Sequence, residues 1–214
     1  MSDPVSETLN PSNAALLLID HQVGTMNFGI SDLSAMELTN RTLLLAESAR
    51  AFGLPVILTA SNPNGQNGPV FPELIATLPE VPVIERMITN AWKDPQFVEA
   101  VTKTGRKKLI MAGVSTDVCL ALPAVSAVRD GYDVYAVIDA SGTFSQHALM
   151  ASMFRMSQAG VVIANATMLV SELLADWSSR YAEPIGKILG ARVPNFGFVV
   201  AGFNHRPASS ARDV

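Results

Sequence analysis

The sequence predicts an α/β protein, a three-layer α/β/α sandwich on a mainly parallel sheet. Two observations carry this. Short apolar runs alternate with helical patterns along the chain, as βαβ units require. The runs are continuous rather than polar-alternating, as in strands covered on both faces. A third observation agrees with them: the helical patterns close at Gly53, Gly105, Gly131 and Gly160, where helices commonly stop.

The elements follow in order. Ala14-Ala15-Leu16-Leu17-Leu18-Ile19 is a buried strand ending at Asp20. A helix is expected over 34–52, and a second strand over 55–59. The stretch 61–69, rich in Asn, Gly and Pro, is a loop. A short third strand covers 81–84. Asp94-Pro95 opens a helix, with an N-cap followed by proline in the first turn. A strand over 107–114 leads into a helix over 117–130 with Thr116 as its N-cap. A strand over 132–139, a helix over 145–159, a strand over 161–164 and a helix over 167–179 complete the alternation. From Pro194 the pattern fades; Phe196 to Phe203 is apolar without clear period, either a packed extension or an arm docking on a neighbouring subunit. The tail 206–214 is expected to fray. One domain over 1–214 is expected, with a C-terminal extension from about residue 180.

Composition narrows the function classes. The chain has 214 residues, 49% apolar and 16% charged, with a mean hydropathy of +0.28; an average soluble domain is about 25% charged. Disorder and a coiled coil are excluded. So few charges coat a monomer poorly, and a homo-oligomer is expected. The net charge of -4 and the absence of a basic run argue against nucleic acid. No apolar run approaches the roughly 20 residues of a membrane span. Met1 to Glu7 is acidic and lacks the basic start of a signal peptide, so the cytoplasm is the expected compartment. Cys119 is the one cysteine, which allows neither an internal disulfide nor a cysteine-cluster metal site.

Ligands of open α/β sheets bind beyond the carboxyl ends of the strands. The residues there are Asp20, Glu85 and Arg86, Ser115 to Cys119, and Asp139. Cys119 falls in a first helical turn, where free N–H groups and the helix dipole favour a thiolate. Pro123, four residues on, removes the helical partner of the Cys119 carbonyl and implies a bent helix beside the thiol. A small buried hydrophobe explains Cys119 equally well, and a loop-capping carboxylate explains Asp20. The two reinforce each other if both face one crevice, as the ends of adjacent parallel strands would.

Other candidates carry less. Ser115 is one glycine short of a nucleophile elbow. His147 lies at a helix start, and His21 and His205 lack metal-ligand spacing. The loop at 62–69 lacks a phosphate-binding pattern. Trp92, in Asn90-Ala91-Trp92, lines a pocket or plugs the edge of the core. Phe28, Asn90, Trp92 and Phe144 are the substrate-binding candidates, because they sit on loops near the expected strand ends. An aromatic-lined pocket of this kind would favour an uncharged small substrate.

Leu17-Leu18-Ile19-Asp20-His21-Gln22, Gly113-Val114-Ser115-Thr116-Asp117-Val118-Cys119 and Asp139-Ala140-Ser141-Gly142-Thr143 resemble the isochorismatase-like cysteine hydrolases. Asn67-Gly68-Pro69, Asn90-Ala91-Trp92, Ala121-Leu122-Pro123-Ala124 and Arg155 to Gly160 point within them to the YcaC subgroup. The resemblance runs from about Ala14 to Trp177. It implies a helix-flanked parallel sheet and an Asp, Lys and Cys site. By position Asp20 is the base and Cys119 the nucleophile. It also implies a cis Val114–Ser115 peptide and an oxyanion hole formed by the N–H groups of Ser115 and Cys119. The family lysine, usually in an I-x-K pattern after the third strand, is replaced by Arg86 in Ile84-Glu85-Arg86. Arginine keeps the charge but cannot yield a proton; Lys93 is the other cation nearby. The implied chemistry is hydrolysis of a small amide or similar carbonyl compound through a thioester. Neither metal nor cofactor is implied, and the subgroup's high-order assembly makes an octamer the candidate oligomer. A non-catalytic oligomeric binding protein retaining the fold is the alternative. A thiol redox sensor is the third, and it lacks a second cysteine to resolve it.

Overall fold

In the computed structural model, which describes residues 8–28 and 30–204, six apolar runs form the strands β1 (Ala14–Ile19), β2 (Val56–Ser61), β3 (Val83–Arg86), β4 (Lys108–Gly113), β5 (Asp133–Val137) and β6 (Val162–Ala164). They make one parallel sheet in the order β3-β2-β1-β4-β5-β6. The strand order reverses between β1 and β4, the position where sheets of this kind open a crevice for ligands. The register pairs Ile19 with Gly113 there, so the residues after both strands share that crevice.

Side chains alternate across the sheet. Leu16 and Leu18 face helices α1 (Ala35–Phe52), α6 (Ala166–Leu174) and α7 (Ala182–Arg192). Ala15, Leu17 and Ile19 face α3 (Pro95–Lys103), α4 (Ala121–Arg129) and α5 (Gln146–Gln158). Every β1 residue is buried, which is why that strand reads as an unbroken apolar run. Helix starts follow local chemistry. Ser34 and Glu37 form a reciprocal cap on α1, and Asp94 accepts from the N–H groups of Gln96 and Phe97 ahead of α3. Helix α1 closes on Gly53 at φ 73°, a conformation that a β-carbon would penalise.

Several boundaries differ from expectation. The third strand lies two residues later than expected, so Arg86 is its last residue, paired with Ser61. The short helix α2 (Pro72–Thr77) was not anticipated, because its six residues are too few to show a period. The helix expected over 117–130 is two pieces: a π-helical turn over Thr116–Leu120, then α4. Its cap residue is Ser115 rather than Thr116. The helix expected to reach 179 stops at Leu174, because Ala175 adopts φ 55°. The C-terminal extension from about 180 holds α7 and α8 (Pro194–Asn204), and α8 covers the stretch from Pro194 where the sequence pattern fades. Arg192 ties α7 to α1 through an ion pair with Glu47. The tail 206–214, the acidic start 1–7 and His205 lie outside the described residues. Among the described residues no helix is long and apolar enough to cross a membrane, and none of their His, Cys, Asp and Glu side chains group in threes that could hold a metal ion.

His21, next after Asp20, is fully buried. Its Nε2 lies 2.8 Å from the Ala140 carbonyl, so that nitrogen carries the proton, and Nδ1 has no partner. Burial lowers its pKa from 6.5 to about 4. Above pH 6.5 the ring is neutral in both folded and unfolded chains. Between pH 6.5 and 4 only the unfolded chain gains the proton, so stability falls as pH falls. The expected loss from this residue is on the order of 3 kcal/mol. In urea unfolding the stability gap between wild type and His21→Asn should narrow by about that amount from pH 7 to pH 4; a constant gap would refute the assignment.

Candidate active site

Strand β1 ends at Asp20, whose backbone adopts φ 59°, a strained value for a residue other than glycine. The turn that follows holds it there. The Asp20 N–H donates to the Thr59 carbonyl (2.9 Å), and its own carbonyl accepts from the Gln22 N–H (2.8 Å) and the Thr25 hydroxyl (2.5 Å). The carboxylate is 1% exposed and lies 2.7 Å from Nη2 of Arg86. Arg86 ends β3, two strands away, about 9–10 Å at ordinary strand spacing; a long side chain is needed to cross the end of β2. Its Nη1 donates to the carbonyls of Ile88 and Thr89. The pair therefore uses Oδ2 of Asp20 and leaves Oδ1 buried without a hydrogen-bond partner.

The thiol arrives from β4. The Val114–Ser115 peptide bond is cis, and the chain then winds into the π-helical turn. The Ser115 carbonyl collects the N–H groups of Val118 (3.3 Å), Cys119 (2.8 Å) and Leu120 (3.2 Å). Pro123 has no N–H to give the Cys119 carbonyl, which rests instead against Gly113. A β-carbon on Gly113 would lie 2.7 Å from that oxygen, so the close approach needs glycine. The segment after β5 braces the turn. Thr116 N–H donates to the Gly142 carbonyl (2.9 Å), Thr143 Oγ1 donates to Asp117 (3.1 Å), and Ser141 Oγ accepts the Gly113 N–H (3.1 Å).

Cys119 is half-buried, and its thiol is pushed well above its ordinary pKa. Burial is the largest cause, followed by the charge of Asp20 and a polar contact with that carboxylate. Arg86 and a backbone hydrogen bond from Ser115 act the other way. A backbone contact that favours the thiolate is a donated one, so the Ser115 N–H faces the sulfur. The second donor expected of the oxyanion hole is not free: the Cys119 N–H is committed to the Ser115 carbonyl, because the π-helical turn gathers three N–H groups onto that one oxygen.

Asp20, Ser115 and Cys119 line one cavity of about 370 Å³, with Arg86 behind Asp20. Phe28 and Phe144 form its apolar rim, each 46% exposed. Asn90 and Trp92 do not reach it. Asn90 caps the turn at Trp92 and donates to Ser126. Trp92 donates to Asp130 and packs edge-on against Phe97 and Tyr132, closing the core. Both border a separate hollow with Lys93, so Lys93 does not substitute for Arg86. Asp139 also points elsewhere: it accepts the Ala166 N–H at the start of α6 and pairs with Arg41 at 3.4 Å. His147 is exposed on α5.

The sequence analysis missed one wall of the cavity, formed by Ser61, Asn62, Gln66, Asn67, Met87 and Thr89. The loop at 61–69 is anchored by Gln22, which is fully buried. Gln22 Nε2 donates to the Ser61 carbonyl, and its Oε1 accepts the Ser61 N–H, both at 3.0 Å. Gly24 lies so close to this loop that a β-carbon would meet the Gln66 carbonyl at 2.1 Å. The sequence signal was available: a glutamine and a glycine directly behind the Asp20 strand end, opposite a loop of amides.

Comparisons with known proteins show the family and the fold. Residues 14–168 match the isochorismatase domain. The chain is 39% identical to the probable hydrolase YcaC of Escherichia coli over 92% of its length and 94% of that protein. YcaC from Pseudomonas aeruginosa, in a structure with hexane-2,5-diol and covalent acrylamide, superimposes with a TM-score of 0.90 at 42% identity, covering 94% of this chain and 98% of that one. The Escherichia coli YcaC structure, an octameric hydrolase of unknown specificity, superimposes with a TM-score of 0.88, covering 92% and 96%. The chain belongs to the isochorismatase family and is similar to the YcaC hydrolases within it.

Proposed function

We propose that the protein is a cysteine-dependent hydrolase of a small amide-like or other carbonyl substrate, working through a thioester on Cys119. One observation carries this reading: Asp20 Oδ1 is buried and unpaired beside a thiol whose proton its charge retains. A buried acceptor without a donor is costly, about 1–3 kcal/mol, unless a donor is due to arrive. The thiol proton is that donor. As the sulfur attacks a carbonyl carbon, its proton passes to Asp20 and the carbonyl π electrons move onto oxygen. The Ser115 N–H supports that charge. Asp20 returns the proton to the leaving amine, and then deprotonates the water that opens the thioester. Arg86 cannot release a proton, so it acts as a fixed charge that holds Oδ2 and leaves Oδ1 for the chemistry.

The Pseudomonas aeruginosa relative supports the same reading, since covalent acrylamide requires a nucleophile in that protein. The octameric Escherichia coli relative, together with the low charge content, supports a homo-oligomer. Arginine in place of the family lysine favours the alternative, an oligomeric binding protein without turnover.

Cys119→Ala is expected to abolish turnover in an amide screen, and retained turnover would reject the nucleophile. Asp20→Asn separates acidity from catalysis. Without the Asp20 charge, Arg86 is opposed by burial alone, so the alkylation profile should move to lower pH while kcat falls by about 100-fold or more. A profile that stays or moves up would contradict the assignment. Arg86→Met leaves a buried carboxylate uncompensated and should cost about 3–5 kcal/mol in denaturant unfolding.

A further inference from the structure

The charges around the cavity are unbalanced in a way that bears on the substrate. Of its lining side chains only Asp20 and Cys119 are ionisable. Arg86, which pairs with Asp20, is not part of the lining; its side chain is 0% exposed and its donors are turned to Asp20 and two backbone carbonyls. Asp20 and Arg86 cancel each other. When the thiol proton passes to Asp20, the negative charge moves to the sulfur and Arg86 still balances it, so in either state no cation is left over for a substrate. The remaining polar wall is neutral: the amides of Asn62, Gln66 and Asn67 donate and accept hydrogen bonds without charge. The apolar lining includes Phe28, Phe144 and Met87, the last 75% exposed.

An anionic substrate would give up its hydration there, meet the negative charge shared by Asp20 and Cys119, and find no free counter-charge in the lining. An uncharged acyl compound faces no such penalty. Its polar end can hydrogen-bond the amide wall, and its apolar part can lie on the two phenylalanines. We infer that the cavity selects uncharged acyl compounds, carboxamides foremost, and rejects substrates bearing a carboxylate or phosphate near the reacting carbonyl. The inference rests on Cys119 being the nucleophile of the site.

Two alkylating reagents of similar size test it, neutral iodoacetamide and anionic iodoacetate. In each reaction the sulfur forms a bond to the methylene carbon, iodide leaves, and the thiol proton passes to Asp20 or to buffer. Cys119 is the one thiol of the chain, so both rates report on it. The same chain unfolded in urea supplies the intrinsic rate ratio. The expected result is that folding raises the preference for iodoacetamide by about tenfold or more, a difference of about 1.4 kcal/mol. Phe144→Lys, which places a cation on the rim, should bring the ratio back towards that of the unfolded chain. Equal ratios in the folded and unfolded chains overturn the charge selection and leave the nucleophile standing. An unchanged ratio in Phe144→Lys also overturns it. If neither reagent reacts with the folded chain while both react after unfolding, the nucleophile reading fails, and the inference fails with it.

Discussion

The ion pair between Asp20 and Arg86 is the constraint on which the site depends. Both side chains are almost wholly buried at the sheet's switch point, 2.7 Å apart. A carboxylate so placed without a counter-charge would be costly. The pair is also a positioning device. It occupies one carboxylate oxygen, Oδ2, and leaves Oδ1 buried without a hydrogen-bond partner. The left-handed backbone at Asp20, the tether of its carbonyl to Thr25 and Gln22, and the placing of Arg86 as the last residue of β3 all serve this geometry.

A second constraint acts on the thiol. Pro123 prevents an ordinary helix from continuing back through Cys119, and Gly113 gives the displaced carbonyl room. The segment 140–143 then fastens the turn to β4 with side-chain and backbone hydrogen bonds. The segment after β5 is thus a brace for the turn that carries Cys119, and the aspartate before it, Asp139, serves helix α6 instead. The same logic places Gln22 and Gly24 behind the amide loop, so three short motifs close three sides of one cavity.

The strands, the main helices and the pairing of Asp20 with Cys119 were legible because their signals are local. Continuous apolar runs mark strands covered on both faces, glycines mark helix ends, and neighbouring parallel strands bring their terminal residues together. The second and last helical segments were not legible. Helix α2 is too short to show a period, and α8 carries apolar residues without a clear stripe. Asn90 and Trp92 were assigned to the pocket from their loop position, but loop position says nothing about direction. Hydrogen bonds to Ser126 and Asp130 turn both towards the helix side of the sheet.

By itself the sequence determined the layered α/β architecture, the identity of the nucleophile and base candidates, and the arginine that stands where a lysine was expected. The architecture follows from periodicity, the candidates from residue type at strand ends, and the expected lysine from the family resemblance. Only the tertiary structure decided that Arg86 spans two strands to reach Asp20, that the Cys119 N–H is committed to Ser115, and that uncharged amides share one cavity with the two phenylalanines. Each of these depends on where a side chain or an N–H points once distant segments have packed together, and such directions are set by long-range contacts that no local pattern encodes.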